Sequence, residues 1–105
     1  MPDHSALFAA ARRAILDGNG KTSGAERQRA FDGDGDGAVG SYVRMVKERA
    51  ARIGDEDVAA VRAVGLDDDH IFELSVAAAV GQASRQYDAA VAALDAAEKA
   101  QRGKP

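Results

Sequence analysis

The sequence predicts an all-α fold: an antiparallel bundle of about four main helices that assembles as a homo-oligomer. Apolar residues recur at helical spacing along most of the chain, and glycine-rich stretches separate these periodic segments. The third observation is compositional. The apolar content of 46% is largely alanine and aromatic residues are only 5%. Because alanine buries little area, a monomer of 105 residues would have a thin core, and helices that share a core between subunits would compensate.

The first helix is predicted from Ser5 to Leu16, with Ser5 as its N-cap and residues 18–20 as its stop. A short helical turn is expected in residues 25–31. The DGDGDG stretch at residues 32–37 then breaks the chain, because Gly and Asp both disfavour helix interiors.

Three further helices follow. The second is predicted over residues 41–53 and ends at Gly54. Asp55 is expected to cap the third helix, which Gly65 ends. The last helix is predicted over residues 68–101, capped by Asp67 or Asp68. Its main apolar seam comprises Phe72, Val76, Val80, Ala83, Tyr87, Val91 and Leu94, and a second face comprises Ile71, Leu74 and Ala78.

Composition and charge exclude several classes of function. The net charge is −3 and no basic cluster is interleaved with aromatic residues, so we expect no nucleic-acid partner. No apolar run approaches the roughly 20 residues that cross a bilayer, and the N-terminus does not resemble a secretory signal. We therefore expect a soluble, cytoplasmic protein with no membrane partner. The absence of cysteine rules out disulfides, thiol redox chemistry and thiolate metal sites, and nothing indicates a cofactor.

The DGDGDG stretch is a candidate cation site. Asp32, Asp34 and Asp36 stand at positions 1, 3 and 5 of a calcium loop, with Gly37 at position 6. Position 12, where a bidentate glutamate is needed, is Val43. The sequence leaves two interpretations, a weakly binding acidic linker and a calcium-binding helical module.

Glu73 is the candidate for acid–base chemistry, because it stands among the apolar residues of the last helix. If it is buried, its pKa rises and it could serve as a general acid or base, together with Arg85 or Tyr42 at a subunit interface. Alternatively it forms a structural ion pair with Arg62, Arg85 or an arginine of another subunit.

Residues 41–94 carry a resemblance to a known family. The D-E-D-V-x-A-V-R-x-x-G phrase at residues 55–65 is followed by an I-F-E-L phrase that opens a helix rich in small residues. In this order and spacing the segment resembles the C-terminal helical part of the carboxymuconolactone decarboxylase and alkylhydroperoxidase-D-like superfamily. The chain then reads as one domain, with a divergent part at 1–40, a family-like core at 41–94 and a helix end with a frayed tail at 95–105.

The resemblance implies antiparallel helices, a trimeric or hexameric assembly, and one of two chemistries. The peroxidase branch uses a C-x-x-C pair and a histidine, and the decarboxylase branch acts on a lactone without a cysteine pair. With the glycine of the phrase aligned to Gly65, the peroxidase residues fall on Ala50, Ile53 and Asp57. Without a thiolate, thiol peroxidase activity is not expected.

Three functional hypotheses follow from the sequence. The leading one is a cysteine-less family member without peroxidase activity that binds a small molecule or acts as an accessory protein. The second is an enzyme of the lactone-decarboxylase type, and the third is the calcium-binding module.

Overall fold

The computed structural model describes residues 4–103, and in this range every regular element is helical. The all-α prediction is therefore confirmed, with five α-helices rather than about four. They are α1 (Ser5–Asp17), α2 (Gly24–Asp32), α3 (Gly37–Arg49), α4 (Asp55–Ala63) and α5 (Asp68–Arg102), with a single 3₁₀ turn at Ala50–Arg52.

The additional helix is α2, where the sequence predicted only a turn. Ser23 and Glu26 form a capping box: the Ser23 hydroxyl accepts from the Glu26 N–H and the Glu26 carboxylate from the Ser23 N–H, both at 3.1 Å. At the other end Gly33 adopts φ 80° and donates its N–H to the Ala30 carbonyl at 3.0 Å. Both ends of this nine-residue helix are therefore capped by hydrogen bonds.

Two predicted helix starts are wrong by a few residues. The third helix, α3, begins at Gly37 rather than at residue 41. Gly40 lies inside its first turn. The Gly35 carbonyl packs directly on it, so no residue with a Cβ atom would fit at this position. In α4 the N-cap residue is Gly54, whose N–H donates to the Asp57 carboxylate at 3.0 Å, so that Asp55 is the first helical residue.

The core lies between α5 and the shorter helices, on the α5 face that the sequence ranked second. The buried residues of α5 are Ile71, Leu74, Ala77, Ala78 and Gly81. They pack against the buried α2 and α3 side chains Ala30, Phe31 and Val43, and against Tyr42 and Val61. Of the predicted main seam, Phe72 is 68% exposed, Leu94 is 46% exposed, and Val80 is half-buried against the core.

Gly81 is where α2 approaches α5 most closely. A Cβ atom at this position would overlap the Phe31 carbonyl oxygen. The glycine at this position therefore lets α2 approach α5.

The last helix, α5, is much longer than the other four helices. Asp67 is its N-cap residue, and the Asp67 carboxylate accepts the His70 N–H at 2.9 Å. The 35 residues of the helix span about 52 Å. The start of α1 lies against Tyr87, with the rings of Phe8 and Tyr87 at 5.0 Å. Beyond Tyr87, residues 88–102 form an exposed arm in which Val91 alone is half-buried.

The overall dimensions are 62 × 28 × 19 Å, which reflects this arm. None of the helices within residues 4–103 is both long and apolar enough to span a membrane. Of the tail predicted to be frayed, residues 101 and 102 are helical, and residues 104 and 105 lie outside the described range.

Candidate functional site

Glu73 projects from the second turn of α5 towards the loop of residues 18–23, which joins α1 to α2. One carboxylate oxygen, Oε1, accepts the backbone N–H of Lys21 at 2.9 Å. The other, Oε2, accepts the backbone N–H of Thr22 at 2.8 Å and its hydroxyl at 2.6 Å. The carboxylate therefore fixes the 18–23 loop on α5.

Arg27 fixes the same loop from the α2 side. Its side chain is buried, and its Nη1 donates to the carbonyl and the hydroxyl of Thr22. Its Nη2 donates to the carbonyls of Gly18 at 2.7 Å and Leu16 at 3.3 Å. Thr22, which is 3% exposed, thus links the guanidinium of Arg27 to the carboxylate of Glu73.

These contacts lower the pKa of Glu73 from its ordinary value of 4.5 to about 2. The hydrogen bond from the Thr22 hydroxyl is the largest cause, followed by the two backbone N–H donors, and the charge of Arg27 adds less. The condition under which the sequence predicted a raised pKa is not met, because Glu73 is only half-buried. Partial desolvation still acts to raise the pKa, but the three donors outweigh it. Glu73 is ionised at neutral pH and is a weak base.

A cleft of about 150 Å³ lies beside Glu73, between α1, the 18–23 loop and α5. Its apolar wall consists of Ala14, Ile15, Phe72 and Val76, and its polar end of Glu73, Arg27 and residues 18–20. A Cβ atom at Gly20 would lie 2.6 Å from Oε1 of Glu73 and 3.0 Å from Nη1 of Arg27. Glycine at this position therefore keeps the polar end of the cleft open.

The other proposed catalytic residues lie elsewhere. Arg85 donates to the Phe31 carbonyl at 2.6 Å and so caps the C-terminus of α2. The Tyr42 hydroxyl is 2.7 Å from the Ser75 hydroxyl. Glu73 and Arg85 are twelve residues apart on one helix, a separation of about 18 Å. One protomer therefore does not bring Glu73, Arg85 and Tyr42 together.

The ion-pair partners expected for Glu73 are also engaged elsewhere. Arg62 pairs with Asp68 at 2.7 Å on the surface, and Arg85 binds α2. The arginine that supports Glu73 is Arg27, which sequence analysis missed because its segment was taken for a turn. The capping box at Ser23 was the signal that could have identified α2.

The three aspartates of the DGDGDG stretch do not form a metal cluster. Among residues 4–103 there is no group of three or more His, Asp or Glu side chains placed to hold a metal ion. Asp32 accepts a hydrogen bond from Gln28 at 3.0 Å, and Asp36 stands at the N-cap of α3 without a side-chain hydrogen bond. The stretch ends α2 and starts α3 rather than wrapping around a cation.

No family model matches the chain, and neither a curated protein nor a solved structure matches it.

Proposed function

We propose that the chain is a small-molecule-binding protein, a cysteine-less relative of the carboxymuconolactone decarboxylase-like proteins without thiol peroxidase activity. The cleft beside Glu73 carries this proposal, since it combines an apolar wall with two fixed charged groups, Glu73 and Arg27. The Nη atoms of Arg27 already donate to carbonyls of Leu16, Gly18 and Thr22, which leaves Glu73 as the group that faces a ligand. The absence of cysteine from the sequence removes the thiolate that a peroxidase of this kind requires.

The size of the cleft sets the size of the ligand. A cavity of roughly 150 Å³ lined by apolar side chains accommodates a body as large as benzene. The measured cleft has this volume and four apolar lining residues, Ala14, Ile15, Phe72 and Val76. The ligand class is therefore a compact molecule with one aromatic or short branched apolar body.

The chemistry of the polar end sets the head group. Oε1 of Glu73 accepts one hydrogen bond within the described residues, whereas Oε2 accepts two, so Oε1 has room for a further donor. The low pKa of Glu73 keeps the carboxylate negative at neutral pH. A protonated amine suits this acceptor, and a carboxylate head is repelled by it.

The lactone-decarboxylase alternative has less support. Such an enzyme needs a group that exchanges a proton near neutral pH, and the lowered pKa of Glu73 makes it a poor one. Arg85 binds the Phe31 carbonyl of α2 and Tyr42 contacts Ser75 of α5, so neither side chain lines the cleft. If a substrate is found, unchanged turnover in Glu73→Gln would remove Glu73 from the mechanism.

A nuclear magnetic resonance titration with benzylamine tests the proposal, with benzoate as the matched anion of similar size. We expect benzylamine to shift the backbone amides of Gly20, Phe72 and Val76 in a saturable manner, and benzoate to leave them unchanged. The amides of α4, which does not line the cleft, provide an internal reference.

Two glycine variants localise the binding. Gly20→Ala places a methyl group against Glu73 and Arg27 at the polar end, so the benzylamine shifts should be lost. Gly24→Ala is the control, because its Cβ atom meets only the Leu16 carbonyl at an ordinary 3.4 Å. The proposal fails if benzylamine produces no saturable shift in the wild type, or if it binds Gly20→Ala as tightly as Gly24→Ala.

A further inference from the structure

The outward face of α5 lacks the charged residues that a solvent-facing helix normally carries. With about 100° between successive residues, a stripe on the side opposite to the buried core residues begins at Phe72. Its members are Phe72, Val76, Ala79, Ala83, Gln86, Ala90, Leu94, Ala97 and Gln101. None is charged, and each is exposed except the half-buried Val76.

The charged residues of the arm emphasise this pattern. Four of the five charged residues, Asp88, Asp95, Lys99 and Arg102, project towards the other side of α5, and Glu98 lies between the two sides, although both sides of the arm are exposed. A helix that is exposed on all sides usually carries charged residues all round. A helix that packs on a partner lacks them on the side that packs.

The surface area of the chain indicates how much of it is available to a partner. The chain exposes 6893 Å², whereas a compact monomer of its mass exposes about 5,600 Å². The radius of gyration is 16.8 Å, against about 13 Å for a compact chain of this length. The excess of roughly 1,300 Å² is more than the about 800 Å² that each partner buries in a standard interface.

We propose that this stripe is the interface with a second copy of the chain, and that the two α5 helices pack antiparallel about a two-fold axis between Ala83 and Gln86. In this register Phe72 faces Ala97 of the second copy, Val76 faces its Leu94, and Ala79 faces its Ala90. All three pairs are apolar, and the bulkiest side chain, Phe72, meets a small one.

Charge favours the antiparallel orientation over the parallel one. The N-terminus of α5 carries Asp67, Asp68 and Asp69, and its last turn carries Lys99 and Arg102. Lys99 and Arg102 lie on the other side of α5 and form no pairs across the stripe, but antiparallel packing opposes the two helix dipoles and keeps the two acidic ends apart. Parallel packing would place six aspartates together at one end.

The second copy also completes the cleft of the proposed function, on which this point rests. Val76 and Phe72 form the apolar wall of the cleft and belong to the stripe. In the proposed register, Leu94 and Ala97 of the second copy lie over this wall. The arm thus covers the ligand site of the other protomer.

Sedimentation velocity without ligand tests the assembly independently of ligand binding. We expect the wild type at tens of micromolar to sediment with the mass of an even number of 10.9 kDa chains. Ala83→Glu should shift the mass to a single chain, because it places two carboxylates beside the two-fold axis. Ala92→Glu is the control: Ala92 is also exposed but lies on the opposite side of α5, so the assembly should persist. Glutamate forms helix well, so circular dichroism should show both variants folded.

Disulfide trapping tests the register, because the chain has no cysteine of its own. In the double variant Val76→Cys, Leu94→Cys the two positions are about 27 Å apart within one helix, too far for an internal bridge. Mild oxidation should therefore join two chains in the double variant, and leave Leu94→Cys alone unlinked.

Four results would overturn the proposal. They are a monomeric wild type, an assembly with an odd number of chains, an Ala83→Glu variant that assembles as well as Ala92→Glu, and efficient linkage of Leu94→Cys alone, which indicates parallel helices. Each leaves the benzylamine titration free to succeed or fail on its own.

Discussion

Replacing Glu73 by glutamine tests whether one carboxylate holds the 18–23 loop on α5. The amide oxygen of glutamine can keep the two hydrogen bonds from Thr22, now to a neutral acceptor. Its NH₂ group must then face the Lys21 N–H, where donor meets donor. A hydrogen bond to a charged group contributes about 1.5–3 kcal/mol and a neutral one about 1 kcal/mol. Losing the hydrogen bond from Lys21 and weakening the two from Thr22 should therefore lower the free energy of unfolding by about 3 kcal/mol.

The same substitution should alter the dependence of stability on pH. The folded pKa of Glu73, about 2, lies below its ordinary value of 4.5. A lowered folded pKa contributes stability that is fully present above 4.5 and is lost as the pH falls from there towards 2. The stability difference between wild type and Glu73→Gln should therefore be largest at neutral pH and shrink in acid.

Urea unfolding followed by circular dichroism, from neutral pH down to about pH 3, measures both effects. Glu98→Gln is the matched control on the same helix, because Glu98 forms only an exposed pair with Arg102. Loss of this ion pair should lower the free energy of unfolding by less than about 0.5 kcal/mol. The reasoning is refuted if Glu73→Gln is as stable as Glu98→Gln at neutral pH, or if the difference from wild type does not diminish in acid.

Two further predictions concern the close approach of α2 to α5 and the acidic stretch. Gly81→Ala gains about 1 kcal/mol of helix propensity but forces a methyl group into the Phe31 carbonyl, so a net loss of about 2 kcal/mol is expected in urea unfolding. Gly103→Ala, whose Cβ atom meets the Lys99 carbonyl at an ordinary 3.5 Å, should show no such loss, and equal stability of the two variants would contradict the argument. Calorimetry with millimolar calcium should give no binding heat, because the described aspartates form no cluster. Heat that disappears in Asp34→Asn would restore the calcium-binding hypothesis.

Local signals in the sequence located most of the helices. Apolar spacing and glycine breaks are short-range features, and they placed α1, α4 and α5 to within about two residues. Where local signals competed, the prediction was wrong. Gly37 and Gly40 look like helix breakers, yet both lie in α3. Gly37 adopts φ 62°, which favours glycine, and at Gly40 the Gly35 carbonyl occupies the space that a side chain would need.

The candidate site was predicted only in part, for a physical reason. Glu73 was identified because a carboxylate among apolar residues is unusual on a helix. Its partners, Lys21 and Thr22, are more than fifty residues away in sequence and donate two backbone N–H groups and the Thr22 hydroxyl. No local sequence pattern indicates that these donors meet Glu73. The sign of the pKa shift therefore depends on a contact that the sequence does not display.

The sequence by itself determined the all-α class, most helix boundaries and the absence of thiol chemistry, because each follows from local spacing or composition. Only the tertiary structure decided which face of α5 is buried. Two apolar faces lie on that helix, and the longer one, which contains Phe72, is not the one that forms the core. The choice depends on where α2 can approach, and that approach requires Gly81 against the Phe31 carbonyl. The face with Leu74 is therefore the core, and the face with Phe72 remains exposed.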